Sequence, residues 1–144
     1  MRDGFIKIAA ATPDLHVADC EYNAAEIIRQ AKQAASKGAK LITFPELCLT
    51  GYTCGDLFLQ ETLLEGAMQA LGTVCRETAE LAAVIVVGLP LRFNGKLYNV
   101  AAPIVNGRVL AFVPKTHIPN YSEFYELRHF NSGEALHHER IDAK

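Results

Sequence analysis

The chain has 144 residues with 14 basic and 16 acidic side chains, so its net charge at neutral pH is −2. This length suits one domain with its own core, and a half-hydrophobic composition is typical of folded proteins rather than disordered ones. The charges form no cationic block, so neither a nucleic-acid partner nor an anionic membrane surface is indicated. The longest apolar run is too short to span a bilayer and no signal peptide is predicted, so we expect a cytoplasmic protein.

The N-terminal part of the chain predicts a strand, a helix and a second strand. Residues 5–11 form a short apolar run, and apolar residues recur at helical spacing over 23–37. Asn23 and Glu26 resemble a capping box at the start of this helix. The apolar run 40–44 predicts the second strand. A strand–helix–strand unit of this length predicts two parallel strands.

The middle of the chain predicts a second helix followed by antiparallel strands. An apolar stripe indicates a helix over residues 61–81, with Met68 as one of its members. Two Asn-Gly dipeptides lie between apolar runs, which is a strong signal for tight hairpins. The predicted strands cover 83–91, 97–105 and 108–113. The whole chain is therefore predicted to be one α/β domain with a mixed sheet and helices packed against it.

The four cysteines lie at irregular spacings: Cys20, Cys48, Cys54 and Cys75. In a chain without a secretory signal, reduced thiols are favoured, and zinc is a weaker alternative because no Cys-x-x-Cys pair is present. Cys48 is interpreted as a small buried apolar residue and Cys54 as structural. The pair His137-His138 is a weak indication of a metal site without further ligands, so no metal is expected.

Two predicted strands end in a proline followed by one charge. Glu46 follows Pro45, and Lys115 follows Pro114. Charges beyond strands usually belong to solvated surface, but the carboxyl ends of strands in α/β sheets also collect functional groups. Glu46 precedes an apolar segment, a setting that suits a general base near neutral pH. A lysine between apolar segments can stabilise an oxyanion or a thiolate. Together they form two parts of an acyl-transfer site that lacks its nucleophile.

Two segments carry a resemblance to a known family: FPELCLTGY at 44–52 and VPKTHIPNYSEFYELRHFNSG at 113–133. They resemble the nitrilase superfamily of carbon–nitrogen hydrolases, and the resemblance extends from Phe5 to Gly133. The longer strings LCLTGYTCGDLF and KTHIPNYSEFYELRHF are similar to one branch, the N-terminal glutaminase domain of glutamine-dependent NAD synthetases. The resemblance implies the αββα sandwich of nitrilases, of which residues 1–144 are expected to form the N-terminal portion.

The resemblance also assigns catalytic residues. It implies that Glu46 is the general base and Lys115 the lysine of a Glu-Lys-Cys triad. Glu126 matches the second, supporting glutamate, because it precedes Phe130 and Gly133 at the spacing of the E-xxx-F-xx-G pattern. In this family the cysteine thiolate attacks the amide and forms a thioester. That cysteine follows a strand well downstream of the lysine, so it is expected to lie beyond residue 144.

The branch implies further partners. Tyr52 and Tyr121 match tyrosines near the glutamine pocket, so L-glutamine is the expected substrate. The released ammonia passes to a synthetase domain that uses ATP and magnesium to amidate nicotinic acid adenine dinucleotide. No cofactor is expected in this segment itself, and homo-oligomers are expected. Two alternatives stay open: a stand-alone amidase acting on another small amide, and a catalytically silent assembly module.

Overall fold

The computed structural model describes residues 4–136. Within this range the chain forms two α-helices, six strands and three short 3₁₀ helices. The regular elements are β1 (Lys7–Ala10), α1 (Cys20–Ser36), β2 (Ala39–Thr43), α2 (Glu61–Glu77), β3 (Val84–Phe93), β4 (Lys96–Val105), β5 (Arg108–Val109) and β6 (Val113–Pro114). The 3₁₀ helices cover Gly55–Leu59, Glu126–Arg128 and Gly133–Ala135.

The strands form one mixed sheet, which confirms the predicted fold class. Its order is β1-β2-β3-β4-β5, with β6 also pairing with β4. Strands β1, β2 and β3 are parallel, as predicted for the first two, and β4 is antiparallel to both β3 and β6. Since β3 and β6 both oppose β4, they run in the same direction. The carboxyl ends of β2 and β6 therefore open on the same edge of the sheet.

Both helices pack against one face of this sheet. The register aligns Ile42, Ile85 and Ile104 across neighbouring strands, and all three side chains are buried. Removing an aliphatic side chain of this size from water stabilises the fold by about 2 kcal/mol. The helix residues buried with them are Ala24, Ile27, Ala31, Leu64, Ala67, Leu71 and Val74. Met68, which the apolar stripe placed in the core, lies at the exposed border of that stripe.

The capping box predicted to begin at Asn23 is wrong. Helix α1 begins one turn earlier, and Asp19 caps it by accepting the N–H of Tyr22 at 3.0 Å. Asn23 is buried inside the helix, where its amide bonds both backbone groups of His16 at 2.8 Å and the carbonyl of Leu49 at 3.2 Å. The sequence pattern alone does not distinguish an asparagine that caps a helix from one whose side chain hydrogen-bonds two loops.

The second helix is shorter than predicted. It ends at Glu77 rather than at residue 81, because Thr78 leaves the helical conformation and its hydroxyl donates to the carbonyl of Val74 at 2.7 Å. This side-chain bond competes with continuation of the helix.

The predicted hairpins are present, but the strand predicted over 108–113 is interrupted. Asn94 and Asn106 have positive φ angles of 49° and 48°, and a glycine with positive φ follows each, as two-residue hairpin turns require. Residues 110–112 separate β5 from β6. Between these two strands the register against β4 advances by one residue, from Ile104↔Val109 to Val100↔Pro114. This is the pairing of a β-bulge, which an apolar run in the sequence does not reveal.

No helix among residues 4–136 is long and apolar enough to cross a membrane.

Gly88 lets the loop after β2 lie directly on β3. A Cβ atom at Gly88 would lie 2.5 Å from the backbone nitrogen of Leu47 and 3.0 Å from the carbonyl oxygen of Pro45. The loop is also hydrogen-bonded to this point, because the N–H of Leu49 donates to the Gly88 carbonyl at 3.1 Å.

We therefore expect Gly88→Ala to push the loop away from the sheet and to lower the free energy of unfolding by about 2 kcal/mol. Gly72→Ala on α2 is the matched control. Its Cβ meets only a flexible arginine side chain at 3.5 Å, so it should leave stability unchanged or raise it by up to about 1 kcal/mol. Urea denaturation of both variants measures the difference. Equal stability of the two would show that the loop does not depend on this contact.

Candidate active site

Four of the predicted site residues and one further residue meet at the end of the sheet where β2 and β6 terminate. The ammonium of Lys115 lies 2.7 Å from Glu46 Oε1 and 3.1 and 3.0 Å from Oε1 and Oε2 of Glu126. The Tyr52 hydroxyl donates to Glu126 Oε1 at 2.6 Å, and the Asn99 amide donates to Glu46 Oε1. We call these five side chains the charged cluster. Glu46 and Lys115, each predicted from a charge that follows a strand-ending proline, thus form a salt bridge; their catalytic roles stay predictions.

A tight turn after β2 directs Glu46 toward the cluster. Leu47 has a φ of 53°, a left-handed conformation that is rare for a bulky residue and is held here by full burial of its side chain. The N–H of Gly51 bonds the Leu47 carbonyl at 2.8 Å and closes the turn. The apolar segment 47–49 thus packs into the core. The Glu46 carboxylate, by contrast, accepts hydrogen bonds from Lys115 and Asn99.

The β-bulge before β6 places Lys115 in the cluster. Because of the extra residue, Lys115 lies opposite Asn99, and its N–H donates to the Asn99 carbonyl at 2.8 Å. A shift of one residue along a strand moves a side chain to the other face of a sheet. The bulge therefore determines that Lys115 faces Glu46.

The spacing of Glu126, Phe130 and Gly133 corresponds to three packing contacts. Glu126 is 7% exposed in its 3₁₀ helix, and the ring of Phe130 packs edge-on against Phe58 with centroids 5.0 Å apart. Gly133 lies against Pro114, where a Cβ would come within 2.6 Å of the proline ring. Its N–H also donates to the Lys115 carbonyl at 2.9 Å. The motif thus anchors the segment carrying Glu126 to the residue next to Lys115.

An exposed ion pair also holds the segment that carries Glu126. Asp56 accepts two hydrogen bonds from Arg128, at 2.7 and 2.8 Å, and lies 3.0 Å from His129 Nε2. The bonds to Arg128 and then to His129 hold the pKa of Asp56 well below its usual range. Sequence reasoning missed this contact and the role of Asn99, because neither partner lies near the other in the chain.

The charged cluster keeps Lys115 protonated. Burial lowers the pKa of the lysine, but hydrogen bonds and charge from Glu46 and Glu126 outweigh it and raise the pKa above its ordinary value. Lys115 therefore stabilises the fold at neutral pH and loses this contribution only as pH rises through its raised pKa. Burial, followed by the hydrogen bond to and charge of Glu126, also raises the pKa of Tyr52. The phenol therefore stays neutral and remains a donor.

Tyr121 lies apart from the charged cluster. Its side chain is 68% exposed, its ring meets the edge of Phe124 at 5.7 Å, and no hydrogen bond within residues 4–136 joins it to the cluster. A cavity of about 220 Å³ adjoins Tyr52 and Glu126. A larger one, about 720 Å³, lies between α1 and α2, but no member of the charged cluster lines it. We assign the substrate pocket to the cavity of about 220 Å³ because two members of the charged cluster, Tyr52 and Glu126, line it.

No group of three metal-ligating side chains is present among the described residues. The pair His137-His138 lies outside them.

The chain matches the carbon–nitrogen hydrolase family over residues 7–142. It is 42% identical over 131 residues to the glutamine-dependent NAD(+) synthetase of Mycobacterium tuberculosis, covering 91% of this chain and 19% of that protein. Among solved structures, it is similar to a glutamine-dependent NAD(+) synthetase from Cytophaga hutchinsonii, with a TM-score of 0.85 and 30% identity over 92% of this chain and 22% of that one.

An amidase from Nesterenkonia shares the fold, with a TM-score of 0.77 and 24% identity over 93% of this chain and 50% of the amidase. The chain thus spans about a fifth of the length of the synthetases it matches.

All four cysteines are buried and free, and none belongs to the charged cluster. Burial raises the pKa of Cys48 to about 12. Burial, with charge from Cys54 and Asp19, raises the pKa of Cys20 to about 11. Burial also raises the pKa of Cys54 and of Cys75. Thiols of this kind are poor nucleophiles at neutral pH, because the reactive form is the thiolate.

We expect Cys20 and Cys48 in the folded chain to react with a thiol-alkylating reagent at pH 7.5 at least about 100-fold more slowly than free cysteine, since a pKa raised by two units lowers the thiolate fraction by that factor. Mass spectrometry of peptides after timed alkylation measures each site. Alkylation in urea, where all four thiols should react at the rate of free cysteine, is the control. If Cys20 or Cys48 in the folded chain reacted at the rate of free cysteine, the conclusion that these thiols are poor nucleophiles would be wrong.

Proposed function

Because this chain belongs to the carbon–nitrogen hydrolase family, we propose that it supplies the general base and oxyanion-stabilising lysine of a glutaminase site. The proposed reaction releases ammonia from L-glutamine. A synthetase domain outside residues 1–144 then uses the ammonia, with ATP and magnesium, to amidate nicotinic acid adenine dinucleotide. The similarity to glutamine-dependent NAD(+) synthetases supports this substrate and this partner.

The unequal hydrogen bonding of the two carboxylates carries the proposal. Both oxygens of the buried Glu126 accept from Lys115, and one accepts from Tyr52 as well. Glu46 is 40% exposed, and both of its bonds fall on Oε1. Within the described part of the chain no hydrogen bond reaches Glu46 Oε2. Glu46 therefore has an oxygen available for a proton, whereas Glu126 is engaged in holding Lys115.

The proposed mechanism uses these groups in turn. Glu46 takes the proton of a cysteine thiol supplied from outside the described residues, and the thiolate attacks the side-chain amide carbon. The Lys115 ammonium stabilises the negative charge that develops on the amide oxygen. Glu46 then returns the proton to the departing nitrogen, so ammonia leaves and a γ-glutamyl thioester remains. Water, deprotonated by Glu46, then attacks the thioester carbon; the C–S bond breaks, glutamate forms, and the thiolate takes the proton back from Glu46.

The two tyrosines are assigned different parts in substrate binding. The Tyr52 hydroxyl is committed to Glu126, so we propose that its ring, rather than its oxygen, contacts glutamine. Tyr121 offers an exposed ring whose hydroxyl is available. Its place in the pocket follows from the resemblance.

Residues 7–136, exchanged for the matching segment of the Mycobacterium tuberculosis synthetase, allow a direct test. In this chimaera we expect Glu46→Gln to keep the fold and to lower glutamate release from glutamine by at least about 100-fold, because general-base catalysis is lost. Glu65→Gln makes the same chemical change on the exposed side of α2 and should keep activity within about threefold. Near-normal turnover by Glu46→Gln would remove Glu46 from the role of base.

The 144-residue chain by itself is the negative arm of this experiment. Its four thiols are buried and protonated, so we expect no glutamate release before or after alkylation. Turnover that alkylation abolishes would show that one of the four cysteines of this chain is the nucleophile. Cys48 would be tested first, because it lies two residues from Glu46.

We also propose that the chain self-associates through β1. This strand pairs only with β2 in the described range, and Phe5, Ile6 and Ile8 are 82%, 52% and 65% exposed. An unpaired apolar edge is a template for strand pairing with a second copy.

We expect light scattering to detect dimers or larger species of the 144-residue chain, and Ile8→Lys to shift them toward monomer because a charge on an edge strand opposes pairing. Met68→Lys, an equal change on the exposed border of α2, is the control and should leave the assembly unchanged. A wild-type chain that stays monomeric over a wide concentration range would contradict the proposal.

A further inference from the structure

Asn99 touches both charged residues that arrive from different strands. It lies in β4, is only 4% exposed, and its side-chain amide donates to Glu46 Oε1. Its backbone carbonyl accepts the N–H of Lys115 at 2.8 Å. A buried amide requires a partner, and here the partner is the carboxylate itself.

We infer that Asn99 is a positioning residue that fixes the rotation of the Glu46 carboxylate, so that Oε2 is the oxygen that takes the proton. The inference rests on the proposed function, since it specifies which atom of the proposed base works. Neither the identity of the family nor the glutamate–lysine pair assigns this role to Asn99.

The two carboxylates around Lys115 show what Asn99 changes. The ammonium contacts both oxygens of Glu126, at 3.0 and 3.1 Å, but only Oε1 of Glu46, at 2.7 Å. A second donor on Oε1 accounts for the difference, because this oxygen cannot turn away from Lys115 without also breaking its bond to Asn99. Without the Asn99 amide, Glu46 is free to rotate and to present both oxygens to Lys115. The base would then lose its available oxygen.

Asparagine suits this position because it donates without adding charge. Aspartate has the same shape but would place a third carboxylate beside Glu46 and Glu126, with one ammonium between them. Leucine has a similar size but no donor, so it would leave Glu46 Oε1 bonded to Lys115 alone. Both substitutions therefore remove the hydrogen bond while keeping the size of the side chain, and only aspartate also adds a charge.

The first arm of the test uses the 144-residue chain and needs no substrate. The urea midpoints of Asn99→Leu, Glu46→Leu and the double variant form a double-mutant cycle. We expect the double variant to be clearly less destabilised than the two single shifts together, because each single change already breaks the shared bond. Asn131→Leu, which removes a side-chain bond to the Leu97 carbonyl on the same strand, is the matched control. It should be additive with Glu46→Leu. Additivity of the Asn99 pair would overturn the inference.

The second arm measures steady-state kinetics in the chimaera described above. We expect Asn99→Leu and Asn99→Asp to lower kcat for glutamine by about 10- to 100-fold while KM stays within about threefold, since orientation of the base matters in the reaction step. Asn131→Leu should keep both constants. A residue that only stabilised β4 would lower the urea midpoint without this selective loss of kcat, and unchanged kcat in both Asn99 variants would overturn the inference.

The two arms separate failure of this inference from failure of the proposed function. A wild-type chimaera without glutamine turnover would refute the proposed function. The double-mutant cycle would still decide whether Asn99 holds Glu46.

Discussion

The ammonium of Lys115 between two carboxylates is the interaction on which the rest of the site depends. Its bonds to Glu46 and Glu126 place the two nearest carboxylate oxygens within about 6 Å of each other. Two such charges repel by about 3 kcal/mol at an effective dielectric constant near 20. The two closer attractions to the lysine exceed this repulsion. Lys115 therefore allows two carboxylates to lie close together, one of them buried, because its charge offsets their mutual repulsion.

Four irregular features of the backbone lie around the charged cluster. Leu47 adopts a left-handed conformation, a bulge precedes β6, and two glycines admit backbone where a Cβ would collide, at Gly88 and Gly133. The left-handed conformation of Leu47 is strained, and such conformations persist where packing over-determines them and concentrate at functional sites. Here each one changes the direction of a charged residue or lets its loop approach the sheet. Their shared location supports a functional role for this edge more strongly than the charges alone.

Strand direction was accessible from the sequence, whereas side-chain contacts between distant residues were not. Apolar runs and Asn-Gly turns predicted the parallel strands and the hairpins, and the direction of those strands placed Glu46 near Lys115. The bulge left no signal because residues 110–112 are as apolar as a continuous strand. The contacts of Asn23, Asn99 and Asp56 could not be predicted, since the partners of these polar side chains lie far away in the chain and are brought to them by the fold. The family pattern named Glu126 without saying that it holds Lys115.

The hydrogen bonds of the two carboxylates disfavour the opposite assignment, in which Glu126 would be the base and Glu46 would hold Lys115. Protonation of Glu126 would weaken bonds from Lys115 and from the neutral Tyr52 hydroxyl, and a hydrogen bond to a charged group contributes about 2 kcal/mol. It would also leave Lys115 with Glu46 as its one remaining anionic partner in the cluster. Protonation of Glu46 at Oε2 disturbs neither bond to Oε1. Glu46, the proposed base, thus differs from Glu126 in how its donors are distributed: both oxygens of Glu126 accept hydrogen bonds, whereas both donors to Glu46 bond Oε1. Asn99 contributes to this difference because it bonds the oxygen that Lys115 already contacts.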